Sequence, residues 1–185
     1  MIQQQKSKLR EDLKARLRSV TEAQQESLRS HLHNWLLKQT GTWAVFSALP
    51  GEPDLKPLIE TLTHLRWVFP RVEGVDLVFH QVTSSDLMMG SFGVLEPATH
   101  HPRVDKNEIQ GFLIPGLGFD RRGHRLGRGK GFYDRMLAQA TGYKLGVGFE
   151  CQWTPVVPAE SHDQRLQAIM TDAGLWTPPS DDAEA

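Results

Sequence analysis

The chain reads as a single-domain, layered α/β sandwich built on a largely parallel central sheet. Three observations predict this. Short apolar runs alternate with segments of helical periodicity, the pattern of strand–helix units stacked in layers. A glycine-rich stretch lies between an apolar strand candidate ending at Ile114 and a helix candidate beginning near Gly131. Open α/β sheets hold their ligands in such loops, at the carboxyl ends of the strands. Length and composition fit one ordinary core, with 185 residues, 39% apolar and 23% charged.

Each element has its own signal. Leu9, Leu13 and Leu17 recur every fourth residue and predict an amphipathic first helix, with Lys6, Arg10 and Lys14 as a basic row beside them. Thr21 and Gln24 stand at capping-box spacing and open a second helix. That helix turns Leu28, Leu32, Trp35 and Leu36 inward and should end near Gly41. Trp43 to Phe46 is a strand candidate, followed by the turn Leu49-Pro50-Gly51-Glu52-Pro53. Asp54 is placed to cap a third helix bearing Leu55, Leu58, Ile59 and Leu62. Arg66 to Phe69, Val75 to Val82 and Gly111 to Ile114 read as strands, the second able to pair antiparallel. A helix follows from about Gly131 to Ala140, then strands at Lys144 to Phe149 and Ala168 to Thr171. Residues 1–176 are expected to form the domain, and the acidic, proline-rich stretch 177–185 to be disordered.

Charge and cysteine usage narrow the function. The net charge is −1, so no global positive field points to nucleic acid. Cys151 is the only cysteine, which excludes an internal disulfide and a cysteine-rich zinc site. No run approaches the roughly 20 apolar residues of a membrane span. The N-terminal residues are polar and charged, unlike a signal peptide, so the cytoplasm is the expected compartment. A monomer is expected.

The cations are concentrated in one place. Arg121, Arg122, Arg125, Arg128, Lys130 and Arg135 crowd a short stretch in which Gly127, Gly129 and Gly131 alternate with them. Glycines let backbone N–H groups approach an anion, and the following helix start adds its dipole. A small polyphosphate fits this pattern better than a long polymer. The spacing is not that of a Walker loop, since His124 stands where its first glycine belongs and Gly131 where its magnesium-binding hydroxyl belongs. Nor is it a dinucleotide loop, because Phe132 replaces the third glycine. The plain alternative is a structural loop with solvated arginines. Asp134 falls four residues after Lys130; near phosphates it needs an intervening cation, otherwise it is a helix-start carboxylate.

The 22 residues from Ile114 to Arg135 resemble, nearly residue for residue, the signature of the 5-formyltetrahydrofolate cyclo-ligases. Other blocks carry the likeness along almost the whole chain except its tail. They are Lys6-Ser7-Lys8-Leu9-Arg10, Gly51-Glu52, Phe69-Pro70-Arg71, Gly93-Val94-Leu95-Glu96-Pro97, Gln152, Pro158, His162-Asp163 and Met170-Thr171-Asp172-Ala173-Gly174. The resemblance implies a Rossmann-like fold of the NagB/RpiA/CoA-transferase kind. It also implies ATP- and magnesium-dependent closure of 5-formyltetrahydrofolate to 5,10-methenyltetrahydrofolate, with release of ADP and phosphate. Carried over residue by residue, ATP would be held by Lys6, Lys8, Arg10, Arg125, Gly127, Arg128, Gly129, Lys130, Gly131, Tyr133 and Asp134. Arg128 and Lys130 would act in catalysis, Asp134 and Asp163 would hold magnesium, and Phe46, Ser47, Glu52 and Phe132 would contact folate. Phe132 departs from the tyrosine of many relatives and loses a hydroxyl. Because nothing in the Glu52 turn is cationic, Glu52→Gln is expected to weaken folate and leave ATP unaffected. Two other classes share these residues: an inactive nucleotide- or folate-binding module, and an isomerase or transferase of phosphorylated sugars.

Overall fold

The computed structural model describes residues 2–160 and 163–179. His162 and residues 180–185 of the expected tail lie outside the described residues. Four α-helices are present among them: α1 (Ile2–Leu17), α2 (Glu22–Leu36), α3 (Lys56–Thr61) and α4 (Phe132–Gln139). The strands, in chain order, are β1 (Thr42–Ala44), β2 (Arg66–Glu73), β3 (Asp76–Gln81), β4 (Met88–Met89), β5 (Leu95–Glu96) and β6 (Arg103–Val104). They continue with β7 (Gly111–Pro115), β8 (Gly118–Phe119), β9 (Arg125–Leu126), β10 (Tyr143–Val147), β11 (Ala168–Thr171) and β12 (Gly174–Trp176).

Eight strands form one mixed, mostly parallel sheet in the order β12-β11-β10-β7-β1-β2-β3-β6. The central run β11, β10, β7, β1 and β2 is parallel throughout. Antiparallel pairings close the two sides, β12 on β11 and β3 on β2, with β6 beyond β3. The Val75–Val82 run thus takes the antiparallel option. Strand side chains alternate between two apolar layers, as a sheet covered on both faces requires. Trp43, Trp67, Phe69, Leu113, Leu145, Val147 and Met170 join Leu28, Leu32 and Leu36 of α2 and Leu58 of α3. Their neighbours Ala44, Val68, Phe112, Ile114 and Ile169 join Met136 and Leu137 of α4 on the other face. Trp43 and Trp67 are core residues.

Element boundaries follow local chemistry. Thr21 accepts from Gln24 N–H and the Gln24 side chain accepts from Thr21 N–H, so the capping box is complete. α2 stops at Leu36, before the Gly41 boundary read from sequence, and Gly41 serves instead as a left-handed turn at φ 79° entering β1. Asp54 sits one residue outside the position read for it: Leu55 precedes α3, and the Asp54 carboxylate accepts from Lys56 N–H at 3.1 Å. α4 begins at Phe132, so Lys130 lies in the loop before it. Thr177–Pro179 has no regular structure, with Pro178 beside Gly123. Among the described residues no helix is long and apolar enough to cross a membrane.

The topology positions the site. From β1 the chain moves through α3 to β2 on one side, whereas β7, the next strand on the other side, leads through α4 to β10. The strand order therefore reverses between β1 and β7, and a crevice opens beyond their carboxyl ends at such a point.

Candidate functional site

A cleft of about 390 Å³ occupies that crevice. Phe46 and Ser47 after β1, Pro70 on β2, and Pro115 and Gly116 at the end of β7 form its floor. Arg125 and the loop Gly127–Gly131 form one wall, continuing into Phe132, Tyr133 and Asp134 of α4. The lining is completed by Leu49, Glu52, Val72, Leu77, Phe92, Val94 and Glu96. Of the residues expected at the site, the fold gathers Phe46, Ser47, Glu52, Arg125, Gly127, Arg128, Gly129, Lys130, Gly131, Phe132, Tyr133 and Asp134 around this one space.

The loop is shaped by residues that do not face the cleft. Asp120 is fully buried and accepts from Arg122 N–H and His124 N–H at 3.0 Å each, and from Val157 N–H at 3.0 Å. His124 Nδ1 lies 3.1 Å from the same carboxylate. A turn with so many internal bonds presents Arg125 from a rigid base. Gly129 at φ 96° and Gly131 at φ 69° then carry the chain through left-handed conformations that other residues adopt at a cost.

Every arginine expected at the site already has a partner. Arg128 Nε donates to Glu52 Oε1 at 2.8 Å, while Leu49 N–H donates to Glu52 Oε2 at 3.0 Å. The turn is therefore tied to a cation brought from the loop, so a change at Glu52 bears on Arg128 as well as on the turn. Arg125 donates to Asp134 Oδ1 at 2.7 Å and to the Pro115 carbonyl at 3.1 Å. Arg10 donates to the Gly127 carbonyl at 2.9 Å, pinning α1 to the loop. Lys130 makes no ion pair among the described residues and sits 5.1 Å from the Phe92 ring centre. Lys8 is exposed, does not line the cleft, and lies two positions from Lys6, on another side of α1.

Lys6 is not a solvated helix charge. Its ammonium is buried and lies 2.9 Å from both Glu160 Oε2 and Asp163 Oδ2. Burial disfavours the charge, but hydrogen bonds to Asp163 and Glu160 outweigh it and raise the lysine above its ordinary pKa. The pKa of Tyr133 is pushed well above the ordinary tyrosine value by burial, with the Glu52 charge adding and Arg125 opposing. The phenol stays protonated at any working pH.

Among the described residues no three His, Cys, Asp or Glu side chains converge as a ready metal cage. Magnesium takes one or two carboxylates and completes its shell with phosphate oxygens and water. Asp134, beside the loop, fits such a role. Asp163 stands with Lys6 and does not line the cleft.

Sequence reasoning assigned no role to Glu96, Phe92, Glu160 or Asp120. Glu96 and Phe92 come from the β4–β5 hairpin and its two-residue strands, too short for a periodic signal. Phe92 is held at φ 60°, unusual for a residue with a side chain, and its ring lies 5.8 Å from that of Phe132.

Comparison with known proteins agrees with this architecture. The model of the 5-formyltetrahydrofolate cyclo-ligase family matches residues 2–172. A protein of Mycolicibacterium smegmatis named 5-formyltetrahydrofolate cyclo-ligase is 34% identical over 185 residues, covering 92% of this chain and 95% of that one. One of the same name from Escherichia coli K12 is 29% identical, over 89% of this chain and 98% of its own. The solved 5,10-methenyltetrahydrofolate synthetase of Aquifex aeolicus superposes with a TM-score of 0.78 at 29% identity, covering 95% of this chain and 93% of that one. The corresponding Mycoplasma pneumoniae structure gives 0.74 at 26% identity, over 90% and 98%. With its sequence matched almost end to end and its sheet matched by solved members, the chain belongs to the 5-formyltetrahydrofolate cyclo-ligase family.

Proposed function

We propose that the cleft binds ATP and 5-formyltetrahydrofolate side by side and there carries out the family's reaction, ring closure to 5,10-methenyltetrahydrofolate with release of ADP and phosphate. One observation supports this above others: a cationic glycine loop, apolar side chains and the buried carboxylates Glu52 and Glu96 line a single cleft. The loop suits a triphosphate; the apolar side chains and carboxylates suit a flat heterocycle carrying N–H donors.

The division of labour follows from charge. Lys130, with no ion pair to break, contacts the transferred phosphoryl group, and Arg128 and Arg125 follow its developing charge. Arg10, bonded to the Gly127 carbonyl, approaches the nucleotide from α1, while Lys6, off the cleft lining, would reach it only by leaving Glu160 and Asp163; Gly127, Gly129 and Gly131 supply backbone donors. Phe46, Ser47, Glu52 and Phe132 hold folate with its formyl oxygen toward the γ-phosphate. That oxygen attacks phosphorus and ADP leaves. N10 then attacks the activated formyl carbon, and loss of its proton and of phosphate leaves the methenyl bridge. Alignment of two bound reactants can supply several kcal/mol, about 7–11 in favourable cases. Asp134 would hold magnesium, which when bound neutralises phosphate charge; Asp163, paired with Lys6 outside the cleft lining, would join it only by leaving that pair.

Incubation with 5-formyltetrahydrofolate and Mg-ATP, following methenyl absorbance and phosphate release together, tests the reading. Both should appear in equal amounts. Lys130→Ala should lose at least about a hundredfold in turnover, as removal of a transition-state donor does, with an unchanged melting temperature. ATP binding without methenyl formation would favour the inactive-module reading.

A further inference from the structure

Among the described residues Asp120 is the most deeply buried carboxylate, at 0% exposure, and it does not line the cleft. Its two oxygens serve different neighbours. Oδ1 accepts from Arg122 N–H and His124 N–H within its own turn. Oδ2 faces His124 Nδ1 and accepts from Val157 N–H at 3.0 Å, 37 positions away in the chain.

The bond to Val157 reaches a part of the chain that cannot order itself. Residues 154–160 and 163–166 contain no helix or strand, so their backbone groups depend on partners elsewhere. Those partners lie on the Asp120 turn. Thr154 N–H donates to the Phe119 carbonyl, Leu166 N–H to the Gly123 carbonyl and Arg165 Nε to the Arg122 carbonyl. Farther along, Glu160 and Asp163 hold Lys6 of α1. Arg10, one helical turn on from Lys6, donates to the Gly127 carbonyl. A closed circuit results. The stretch from Asp120 to Gly127, which carries Arg125, is anchored at its start through Oδ2 and at its end through α1. Leu126, Val157 and Leu13 of α1 pack into one apolar cluster among these segments.

We infer that Asp120 is a positioning residue for the nucleotide side of the cleft: its Oδ2 docks the Val157 segment on the loop, so that Arg125 of the loop and Arg10 of α1 keep one fixed arrangement. The inference rests on reading this loop as the nucleotide site, and Asp120 itself touches no ligand.

Asp120→Asn separates the two oxygens. With the amide oxygen at the Oδ1 position the turn keeps both N–H bonds, and the His124 ring can change tautomer and accept from the new N–H. Val157 N–H then faces a donor, and only its bond is lost. Amide hydrogen exchange read residue by residue, together with calorimetry, tests this. In the variant, protection should be lost at Val157 and Asp163 and kept at Arg122 and His124. Affinity for a non-hydrolysable ATP analogue with magnesium should fall about tenfold to a hundredfold, the usual loss when a group that orients ligating residues is changed. Affinity for 5-formyltetrahydrofolate alone should stay within about twofold, as for a site with no shared partner. Unchanged analogue affinity in a folded variant overturns the inference. So does an equal loss for both ligands that tracks melting temperature, because Asp120 would then serve the fold alone. Analogue affinity lost while Val157 stays protected confines Asp120 to its own turn and overturns the link. Wild type gives the same answer without a variant. Linkage is reciprocal, so saturating analogue should slow Val157 exchange by about the tenfold or more that breaking the link costs in affinity, whereas folate should not. No slowing, or equal slowing by both ligands, overturns the link. Wild type that binds no analogue defeats the nucleotide reading and the inference with it.

Discussion

Arg128 and Glu52 are 76 positions apart in sequence and 2.8 Å apart in space, and this pair changes what each residue does. Glu52→Gln would remove a charge that holds Arg128 and, on the proposed function, an acceptor for folate. Folate affinity should fall by about 1–3 kcal/mol. ATP-analogue affinity should rise a few-fold, because Arg128 no longer has to leave a carboxylate. Calorimetry on the variant checks both, and a fall in nucleotide affinity would sink this account. Lys6 offers a pH test. Its folded pKa lies above the ordinary 10.5, so its stabilisation is complete below that value and lost as pH rises through the folded pKa. The melting-temperature difference between wild type and Lys6→Gln should stay flat from pH 7 to 9 and shrink only above about 10.5. Shrinkage at neutral pH would contradict the pairing with Asp163 and Glu160. Residue types at the site were legible in the sequence, because glycine spacing and clustered cations have direct chemical meaning. Their pairings were not, since Lys6–Glu160, Arg128–Glu52 and Arg71–Glu96 each join distant segments.

At the scale of elements, legibility followed period and length. α1, α2 and the central strands carry enough residues for their 3.6 or 2.0 repeat to be read. The two-residue strands β4, β5, β6, β8 and β9 have no repeat to read, and they include the hairpin that brings Phe92 and Glu96 to the cleft. α4 was legible in extent yet displaced at its start, because Gly131 takes φ 69° and postpones the helix to Phe132. That conformation carries a prediction. Gly131→Ala would place a Cβ in the left-handed region, 2.7 Å from Arg135 Nη1. The variant should lose about 1–2 kcal/mol of stability and show a smaller thermal shift with Mg-ATP than wild type. A wild-type shift with Mg-ATP would mean that the α4 entrance does not shape the nucleotide site.

Across the whole molecule, the proposed function makes ligand binding an exchange of partners. The net charge is −1, and the loop arginines meet anions supplied by other parts of the chain, Arg128 with Glu52 and Arg125 with Asp134. A triphosphate therefore arrives at a surface already neutralised in part and must break pairs to use its cations. On the proposed function, folate faces the same cost at Glu52. Whichever ligand comes first opens the Arg128–Glu52 pair, and the second finds its partner already released. Positive coupling follows without any movement of the sheet, and linkage requires it to be equal in both directions. A coupling of about 1 kcal/mol, roughly fivefold in affinity, is at the low end of what such effects reach. It suits one partly exposed pair, with Arg128 at 36% side-chain exposure and Glu52 at 6%. The measurement is a calorimetric titration of a non-hydrolysable ATP analogue with magnesium, with and without saturating 5-formyltetrahydrofolate. Wild type should bind the analogue several-fold more tightly in the presence of folate. Glu52→Gln should bind it equally with and without folate, at folate concentrations raised to keep its weakened site filled. Coupling that persists in Glu52→Gln would place the communication elsewhere, and independent binding in wild type would mean that Arg128 need not leave Glu52 for either ligand.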